Sequence, residues 1–368
     1  MKKLSIYILC FVLAAIGVEA LTGCSLFSKP SGDLLPHLID ETHVESNPVR
    51  PIDSLTSTRG FTATRLQSQY DELLDIVYRG DGGGSKPDFT DALPEVKEIY
   101  DAAVAVLNRY ILNSFSQFER VHAIHDYLAY YIEYDTALGS LASVPSDHPS
   151  FGLEGVFKNK KAVCDGFAKA FLLMCGIEGI RAIRITGEYN NGVSSENHAW
   201  NKVYIDGSWY NLDATMDSWH VRGSKTKYDI MSHGYFLVSD DLMRGELTGR
   251  HRESGNDKVN YECKNTYGFY KITNLGIGDY PMEITSQDEL NDVFAAVKKS
   301  KRKIGKLELK LNFDGYEKSN LERMDAYVTQ IREAYSKVSD ADFVLNPDTY
   351  TYPYQRYPDG VFVFLIYK

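Results

Sequence analysis

Apolar residues recur at helical spacing in the first half of the chain and alternate with polar residues in the middle, so helices are predicted to precede strands. The helical spacing covers 62–78, about 93–112 and 116 to about 134. Ser116, with Glu119 three residues later, is typical of a capping box, and the third helix is expected to begin there.

A further helix is predicted to begin at Cys164. Apolar residues follow the helical period from Cys164 to Cys175, and Gly176 favours an end soon afterwards. The alternating pattern that follows predicts a strand at 182–187, and the asparagine, serine and glycine residues of 189–196 predict a polar loop.

Two more strands, 197–205 and 208–215, flank Asp206-Gly207, which is a strong signal for a two-residue hairpin turn. If this turn fixes the register, His198 and Asp213 lie on the same face of the sheet as diagonal neighbours. Their side chains are then within reach of a hydrogen bond. A slip of one residue would separate them.

Cys164 stands where a loop meets a helix, and the positive end of the helix dipole favours a thiolate there. A free cysteine is more often a small buried apolar residue, so its position alone indicates little. Together with His198 as a base and Asp213 as the group that orients the imidazole, it predicts a nucleophilic triad.

Three sequence segments carry a resemblance to the bacterial transglutaminase-like superfamily. They are Val163-Cys164-Asp165-Gly166-Phe167-Ala168, Asn197-His198-Ala199-Trp200-Asn201 and Gly207-Ser208-Trp209-Tyr210-Asn211-Leu212-Asp213-Ala214-Thr215. The upstream Ile124-His125-Asp126-Tyr127 and Gly155-Val156-Phe157 resemble the family as well. The likeness covers about 120–217. Ala214 and Met216 differ from many relatives, which leaves the three catalytic residues intact.

The resemblance implies an α+β fold: a papain-like transglutaminase core of N-terminal helices and an antiparallel sheet. It also implies acyl transfer, in which Cys164 forms a thioester with a carboxamide or peptide carbonyl. The backbone amide of Cys164 would stabilise the oxyanion with one upstream donor, for which Tyr134 and Asn159 are the candidates.

The candidates for a substrate pocket are Trp200, Asn197 and Trp209. The substrate is expected to be a protein or peptide at the cell surface. Whether water or an amine resolves the thioester stays open, because both routes share that intermediate. The alternative functions are a catalytically silent scaffold that binds a cell-surface protein and a lipoprotein that binds cell-wall glycan.

Beyond about residue 263 strands and helices alternate, which predicts a small C-terminal α/β domain. Helices are predicted at 286–299 and 320–338, and strands at 307–313 and 361–367. Four tyrosines between Tyr350 and Tyr357 would suit either a packed strand or stacking on sugar rings.

The chain of 368 residues has a net charge of −10 and lacks a long basic run, so nucleic acid is not expected as its partner. The first residues resemble a secretory signal of 1–23 with a bacterial lipobox, in which Cys24 is lipidated. A single membrane-spanning anchor is the alternative. A tether at 24–60, a transglutaminase-like domain at 61–262 and the accessory domain at 263–368 would follow, in an exported monomer anchored to the outer face of a bacterial membrane.

Cys164, Cys175 and Cys263 remain after the signal and the lipidation site. Cys164 and Cys175 are too far apart on one helix to be bridged, whereas a bond between Cys175 and Cys263 stays open. His122 and His125 are expected to face the core as packing residues, and no metal or other cofactor is predicted.

Overall fold

The computed structural model shows helices packed on a five-stranded antiparallel sheet, followed by a second, mixed sheet. It describes Tyr70, Leu73, Phe89, 92–138, 147–190, 194–218, 232–245, 250–254, 261–273, 280–300, 307–312, 333–334, 343–344, 356–357 and 360–367. The predicted signal, Cys24, the tether, most of the helices expected at 62–78 and 320–338, and Tyr350, Tyr352 and Tyr354 lie outside these residues. The predicted α+β class is confirmed.

The helices are α1 (Pro94–Tyr110), α2 (Gln117–Tyr131), α3 (Cys164–Ile177), α4 (Ala214–Asp217), α5 (Asp240–Arg244), α6 (Phe269–Ile272) and α7 (Gln287–Ser300). The strands are β1 (Glu133–Tyr134), β2 (Lys161–Ala162), β3 (Arg181–Asn190), β4 (Ser195–Ile205), β5 (Ser208–Leu212), β6 (Phe236–Val238), β7 (Arg250–Glu253), β8 (Glu283–Ile284), β9 (Leu307–Leu311), β10 (Phe343–Val344), β11 (Arg356–Tyr357) and β12 (Gly360–Tyr367). A 3₁₀ turn (Pro149–Phe151) and a π-helix (Gly155–Asn159) precede β2.

Helix α2 begins as its sequence predicts. Ser116 accepts a hydrogen bond from the backbone of Glu119, and the Glu119 carboxylate accepts one from the backbone of Ser116. These two bonds satisfy backbone amides that the first helical turn cannot pair. His122 and His125 both face the interior, with no exposed surface.

The main sheet has the strand order β6-β5-β4-β3-β7. Ile205 pairs with Ser208 across the turn, as predicted, and the register holds as far as Asn201 and Leu212. There β5 ends, so the predicted strand to Thr215 is wrong in its last three residues. The reason is local, because the Asp213 side chain accepts hydrogen bonds from the first amides of α4 and thereby starts a helix.

The predicted polar loop at 189–196 is also shorter than expected. Tyr189 pairs with Glu196 and Asn190 pairs with Ser195, so polar residues extend both strands of the β3–β4 hairpin. Polar composition does not exclude a strand where both backbones find a hydrogen-bonding partner.

Helix α3 lies against the sheet and is buried after its first turn. Buried Asn201 ties the two layers together, because its side-chain amide donates to the carbonyls of Ala168 on α3 and Ile183 on β3. Cys175 and Cys263 are both free and buried, so the disulfide that the sequence left open is not formed.

The second sheet has the order β10-β12-β9-β8, with β11 on the side of β12. Strands β8 and β9 are parallel and the other pairs are antiparallel. Apolar residues of α7 and β9 belong to the same continuous cluster as those of the main sheet. Among the described helices none is both long and apolar enough to cross a membrane.

Candidate active site

Cys164 is the first residue of α3 and is partly exposed. Strand β2 and Val163 lead into it, and the amide of Val163 donates to the carbonyl of Ser150 over 2.9 Å. Gly166 allows this close approach, since a Cβ atom there would lie 2.7 Å from that same carbonyl oxygen. The sulfur therefore sits at a fixed helix N-terminus, where the first backbone amides have no partner within the helix.

His198 lies on β4 and joins Cys164 to Asp213. Its Nε2 donates a hydrogen bond to Oδ2 of Asp213 over 2.7 Å, and the Cys164 side chain is near enough to contribute to the pKa of His198. Because Nε2 is used by Asp213, the nitrogen that faces the sulfur is Nδ1. The contact predicted between His198 and Asp213 is thus present, although Asp213 makes it from the cap of α4 and not from a strand.

The charges of this group shift the pKa values of both partners. Burial lowers the pKa of His198, but the Asp213 carboxylate, with a smaller contribution from Cys164, outweighs it and raises the pKa to about 10. Burial raises the pKa of Asp213, but His198 and His251 hold it well below the usual range. At neutral pH the imidazole of His198 is therefore protonated.

Asp213 accepts four hydrogen bonds. Its Oδ1 binds the backbone amides of Thr215 and Met216, both over 3.0 Å. Its Oδ2 binds His198 and, over 2.8 Å, Nε2 of His251. His251 lies on β7 and is almost fully buried, and sequence reasoning missed it because β7 is short, distant in the chain and marked by no motif.

Aromatic rings enclose the two histidines. The ring of Tyr189 lies 5.5 Å from that of His198 and 5.1 Å from that of His251. Trp200 stacks behind His198 at 6.1 Å and meets the His251 ring edge-on at 5.0 Å. Together these rings limit how far either imidazole can turn away from Asp213.

Asp165, which follows the nucleophile, is neutralised by its surroundings. Its Oδ1 lies 2.6 Å from Nη1 of Arg184, and its Oδ2 lies 2.9 Å from Nζ of Lys169. The two cations offset the negative charge that Asp165 brings next to the sulfur.

Of the two oxyanion candidates, Tyr134 lies near Cys164. It pairs with Ala162, two residues before Cys164. Burial and the neighbouring Cys164 raise its pKa, which keeps the phenol neutral and able to donate a hydrogen bond. Asn159 lies exposed at the end of the π-helix.

The three pocket candidates are not brought together. Trp200 is only 2% exposed and forms the wall behind His198, so its role is packing. Trp209 lies near the hairpin turn, four residues before Asp213, where it pairs with Tyr204 and meets the ring of Tyr261 edge-on. Asn197 is exposed beside His198 on β4 and remains the candidate with access to solvent.

His198, Asp213 and His251 are close enough for one ligand atom from each to reach a common metal ion. In this structure, however, both imidazole Nε2 atoms already donate to the same carboxylate oxygen. An ion bound by these three residues would displace both hydrogen bonds and break the contact between His198 and Asp213.

The part of the chain that carries this geometry is similar to a known family. Residues 105–214 match the model of the transglutaminase-like superfamily, and they include Cys164, His198 and Asp213. The α+β core, with a cysteine helix packed on a sheet that supplies the histidine, agrees with that match.

Two curated proteins resemble the transglutaminase-like domain. The kyphoscoliosis peptidase of Mus musculus is 30% identical over 132 residues, which are 34% of this chain and 19% of that protein. The kyphoscoliosis peptidase of Homo sapiens is 30% identical over 129 residues, which are 33% of this chain and 19% of that protein. The match therefore spans about a fifth of each relative. A solved structure described as "Crystal structure of a TGase" is 22% identical and covers 34% of both chains, with a TM-score of 0.30.

Proposed function

We propose that the protein is a cysteine enzyme that forms a thioester with protein or peptide amides. The observation that carries this proposal is the hydrogen bond of His198 to ionised Asp213, with Cys164 at a helix N-terminus near enough to affect the pKa of His198. These are the nucleophile, base and orienting group that acyl transfer requires.

The steps follow from the protonation states. The sulfur attacks the carbonyl carbon of an amide, and the carbonyl oxygen takes up the negative charge. Protonated His198 then gives its Nδ1 proton to the departing nitrogen, so that the carbon–nitrogen bond breaks and a thioester remains. Neutral His198 next takes a proton from the incoming water or amine, which resolves the thioester and restores the free sulfur.

The developing oxyanion needs donors aimed at it. The backbone amide of Cys164 lies in the unpaired first turn of α3, and the neutral phenol of Tyr134 lies on the adjoining strand. The helix that carries the Cys164 amide and the strand that carries Tyr134 are both formed before the substrate arrives. The two donors therefore need little reorganisation during the reaction.

Water is the acceptor that we favour. The two curated relatives are named peptidases, and a peptidase transfers the acyl group to water. Transfer to an amine uses the same thioester and is the second candidate. The two are distinguished by supplying an amine probe together with a glutamine-rich protein and following both probe incorporation and the release of new termini or ammonia.

The N-terminal sequence supports an exported enzyme that is anchored to the outer face of a bacterial membrane through lipidated Cys24. Its substrate would then be a protein or peptide at the cell surface. Replacing Cys24 by Ala should abolish incorporation of labelled fatty acid and release the protein from the membrane fraction. Retention of the label in the variant would contradict this anchor.

Alkylation with iodoacetamide tests the proposed chemistry directly. Cys164 should react faster than an ordinary thiol at neutral pH, and His198→Ala should slow it. Cys175 and Cys263 serve as internal references, because burial raises the pKa of both thiols and shields them. Mapping of the modified peptide assigns the label to one cysteine.

Amide cleavage or acyl transfer should disappear in Cys164→Ala and persist in Cys263→Ala, whose thiol lies outside the site. The enzyme proposal would be contradicted if Cys164 is alkylated at the rate of a free thiol and His198→Ala does not change that rate. The protein would then be a catalytically silent scaffold. That scaffold would still bind its cell-surface partner when Cys164 is replaced.

A further inference from the structure

We propose that a divalent zinc ion binds at a second, buried histidine cluster, formed by His122, Asp126 and His233. His122 and Asp126 are four residues apart on one face of α2, and His233 precedes β6. None of the three is more than 4% exposed. The proposal is independent of the reaction at Cys164, because these residues do not touch it in any contact of the described chain.

The distances among four atoms of these three residues carry the inference. His122 Nε2 lies 3.0 Å from His233 Nε2 and 3.2 Å from Oδ2 of Asp126, and His233 Nε2 lies 2.9 Å from Oδ1 of Asp126. Zinc binds nitrogen and oxygen at about 2.0–2.1 Å, which separates two ligands at a tetrahedral angle by about 3.3 Å. Each of these three distances is therefore near the separation of two ligand atoms on one zinc ion.

Oδ2 of Asp126 has only weak polar contacts when no ion is bound. Among the described residues no hydrogen bond reaches Oδ2 of Asp126, although this oxygen is buried. His122 Nε2 lies 3.2 Å from this oxygen in an ion-pair contact and 3.0 Å from His233 Nε2, so that one nitrogen is shared between two neighbours. Since a buried carboxylate oxygen with so weak a contact is costly, a cation shared by the three residues would stabilise the cluster.

A second layer of side chains is suited to hold the ligands. Glu308 on β9 places Oε2 2.8 Å from Nδ1 of His233, on the side of the ring opposite to the proposed ion. His125 Nδ1 lies 2.9 Å from Oδ1 of Asp126. A carboxylate on the far nitrogen of a histidine is the common support for a zinc ligand, because it fixes the tautomer and raises the basicity of the ring.

The donor set and the charge favour zinc over calcium or magnesium. Two imidazoles and one carboxylate suit a borderline cation, whereas calcium and magnesium prefer oxygen ligands only. A divalent charge would offset the two carboxylates of Asp126 and Glu308.

The surroundings are aromatic, and because the three residues fill three positions of a tetrahedral zinc ion, a water molecule would take the fourth. Phe269 stacks on His233 at 4.3 Å and meets His122 at 5.0 Å, and Phe236 lies 5.3 Å from His122. The ion would join α2, the segment before β6 and, through Glu308, the second sheet. The alternative to a metal ion is a proton on Nε2 of His233. The protonated His233 would then form ion pairs with Asp126 and Glu308.

The test uses the full-length protein. Purified protein is stripped with a chelator, titrated with Zn²⁺ and separately with Co²⁺, and followed by metal analysis, the visible spectrum of cobalt and the melting temperature. We expect one equivalent of zinc per chain, a tetrahedral cobalt spectrum and a higher melting temperature on adding zinc. Absence of stoichiometric binding by the stripped wild-type protein would overturn the proposal in favour of the proton.

Variants locate the ion. His233→Gln and His122→Gln should lose it, and Glu308→Gln should weaken binding roughly 10- to 100-fold. Glu283→Gln is the matched control, a buried glutamate of the same sheet that bonds to Asn312, and it should bind as wild type. His251→Gln and Cys164→Ala should also keep the ion, and loss of binding in either would place it at the other site instead.

Discussion

His251 and Asp213 are 38 residues apart, and Nε2 of one donates to Oδ2 of the other over 2.8 Å. The same oxygen accepts from His198 over 2.7 Å, so Asp213 binds two imidazoles at once. His251 does not reach the sulfur in any described contact. It acts on the candidate nucleophile only through the carboxylate that it holds in place.

Replacing His251 by Ala should therefore lower kcat about 10- to 100-fold while changing KM little, because a donor to the orienting carboxylate is lost. His251→Gln, whose side-chain amide can still donate to Asp213, should recover part of the rate. The measurement is steady-state kinetics of all three proteins across a pH series. Equal losses in both variants would indicate that His251 contributes packing alone.

The raised pKa of His198 predicts how stability changes with pH. Its value in the folded protein is about 10, above the 6.5 of an ordinary histidine. The folded state therefore holds this proton more tightly, and the stabilisation is complete below about pH 6.5 and is lost as the pH rises towards 10. The difference in unfolding free energy between wild type and His198→Gln should shrink over that interval.

Denaturant unfolding at pH 6 and pH 9.5 measures this difference. Asp213→Asn is the control, because it removes the charge that raises the pKa of His198. The pH dependence should be weaker in that background. A difference that grows with pH would contradict a protonated His198 in the folded protein.

Tyr134→Phe tests the second oxyanion donor. Removing one such donor typically lowers kcat roughly 100- to 1,000-fold, and the Phe ring preserves the packing. The rate at which iodoacetamide alkylates Cys164 should stay near that of wild type, because the hydroxyl would act on the oxyanion and not on the sulfur. Asn159→Ala is the matched control and should leave kcat unchanged, since that residue is exposed.

Gly187 permits β7 to approach the sheet. A Cβ atom at this position would lie 2.1 Å from the carbonyl oxygen of Arg252, next to His251. Gly187→Ala should lower the free energy of unfolding by about 1–3 kcal/mol and reduce kcat, because β7 must move away with its histidine. Gly152→Ala, where the nearest atom would be at 3.6 Å, should be close to neutral.

Local patterns in the sequence were sufficient for helices α1, α2, α3 and α7, for the hairpin turn and for the contact between His198 and Asp213, but not for the short helices α4, α5 and α6. The turn at Asp206-Gly207 set the register because its backbone geometry allows few alternatives. The pattern did not show that Asp213 ends the strand, because alternation continues through it and only its hydrogen bonds to the next amides reveal a cap.

The contacts that the sequence could not show come from distant segments. His251 reaches Asp213 from β7, and Glu308 reaches His233 from the second sheet. Neither has a characteristic spacing from its partner, because folding and not chain distance brings them together. The paired histidines of α2 were expected to face the core, but their acidic and histidine neighbours became visible only in the fold.

Helix α4 is a single turn, and each of its two ends serves a different cluster. Asp213 caps its beginning and binds His198, while Asp217 at its end lies 3.2 Å from Nε2 of His125. Successive side chains of an α-helix point in directions about 100° apart around the helix axis. One inserted residue between the two carboxylates would therefore turn one of them away from its histidine. The length of α4 therefore fixes both contacts, and a change in this length would break either the contact of Asp213 with His198 or that of Asp217 with His125.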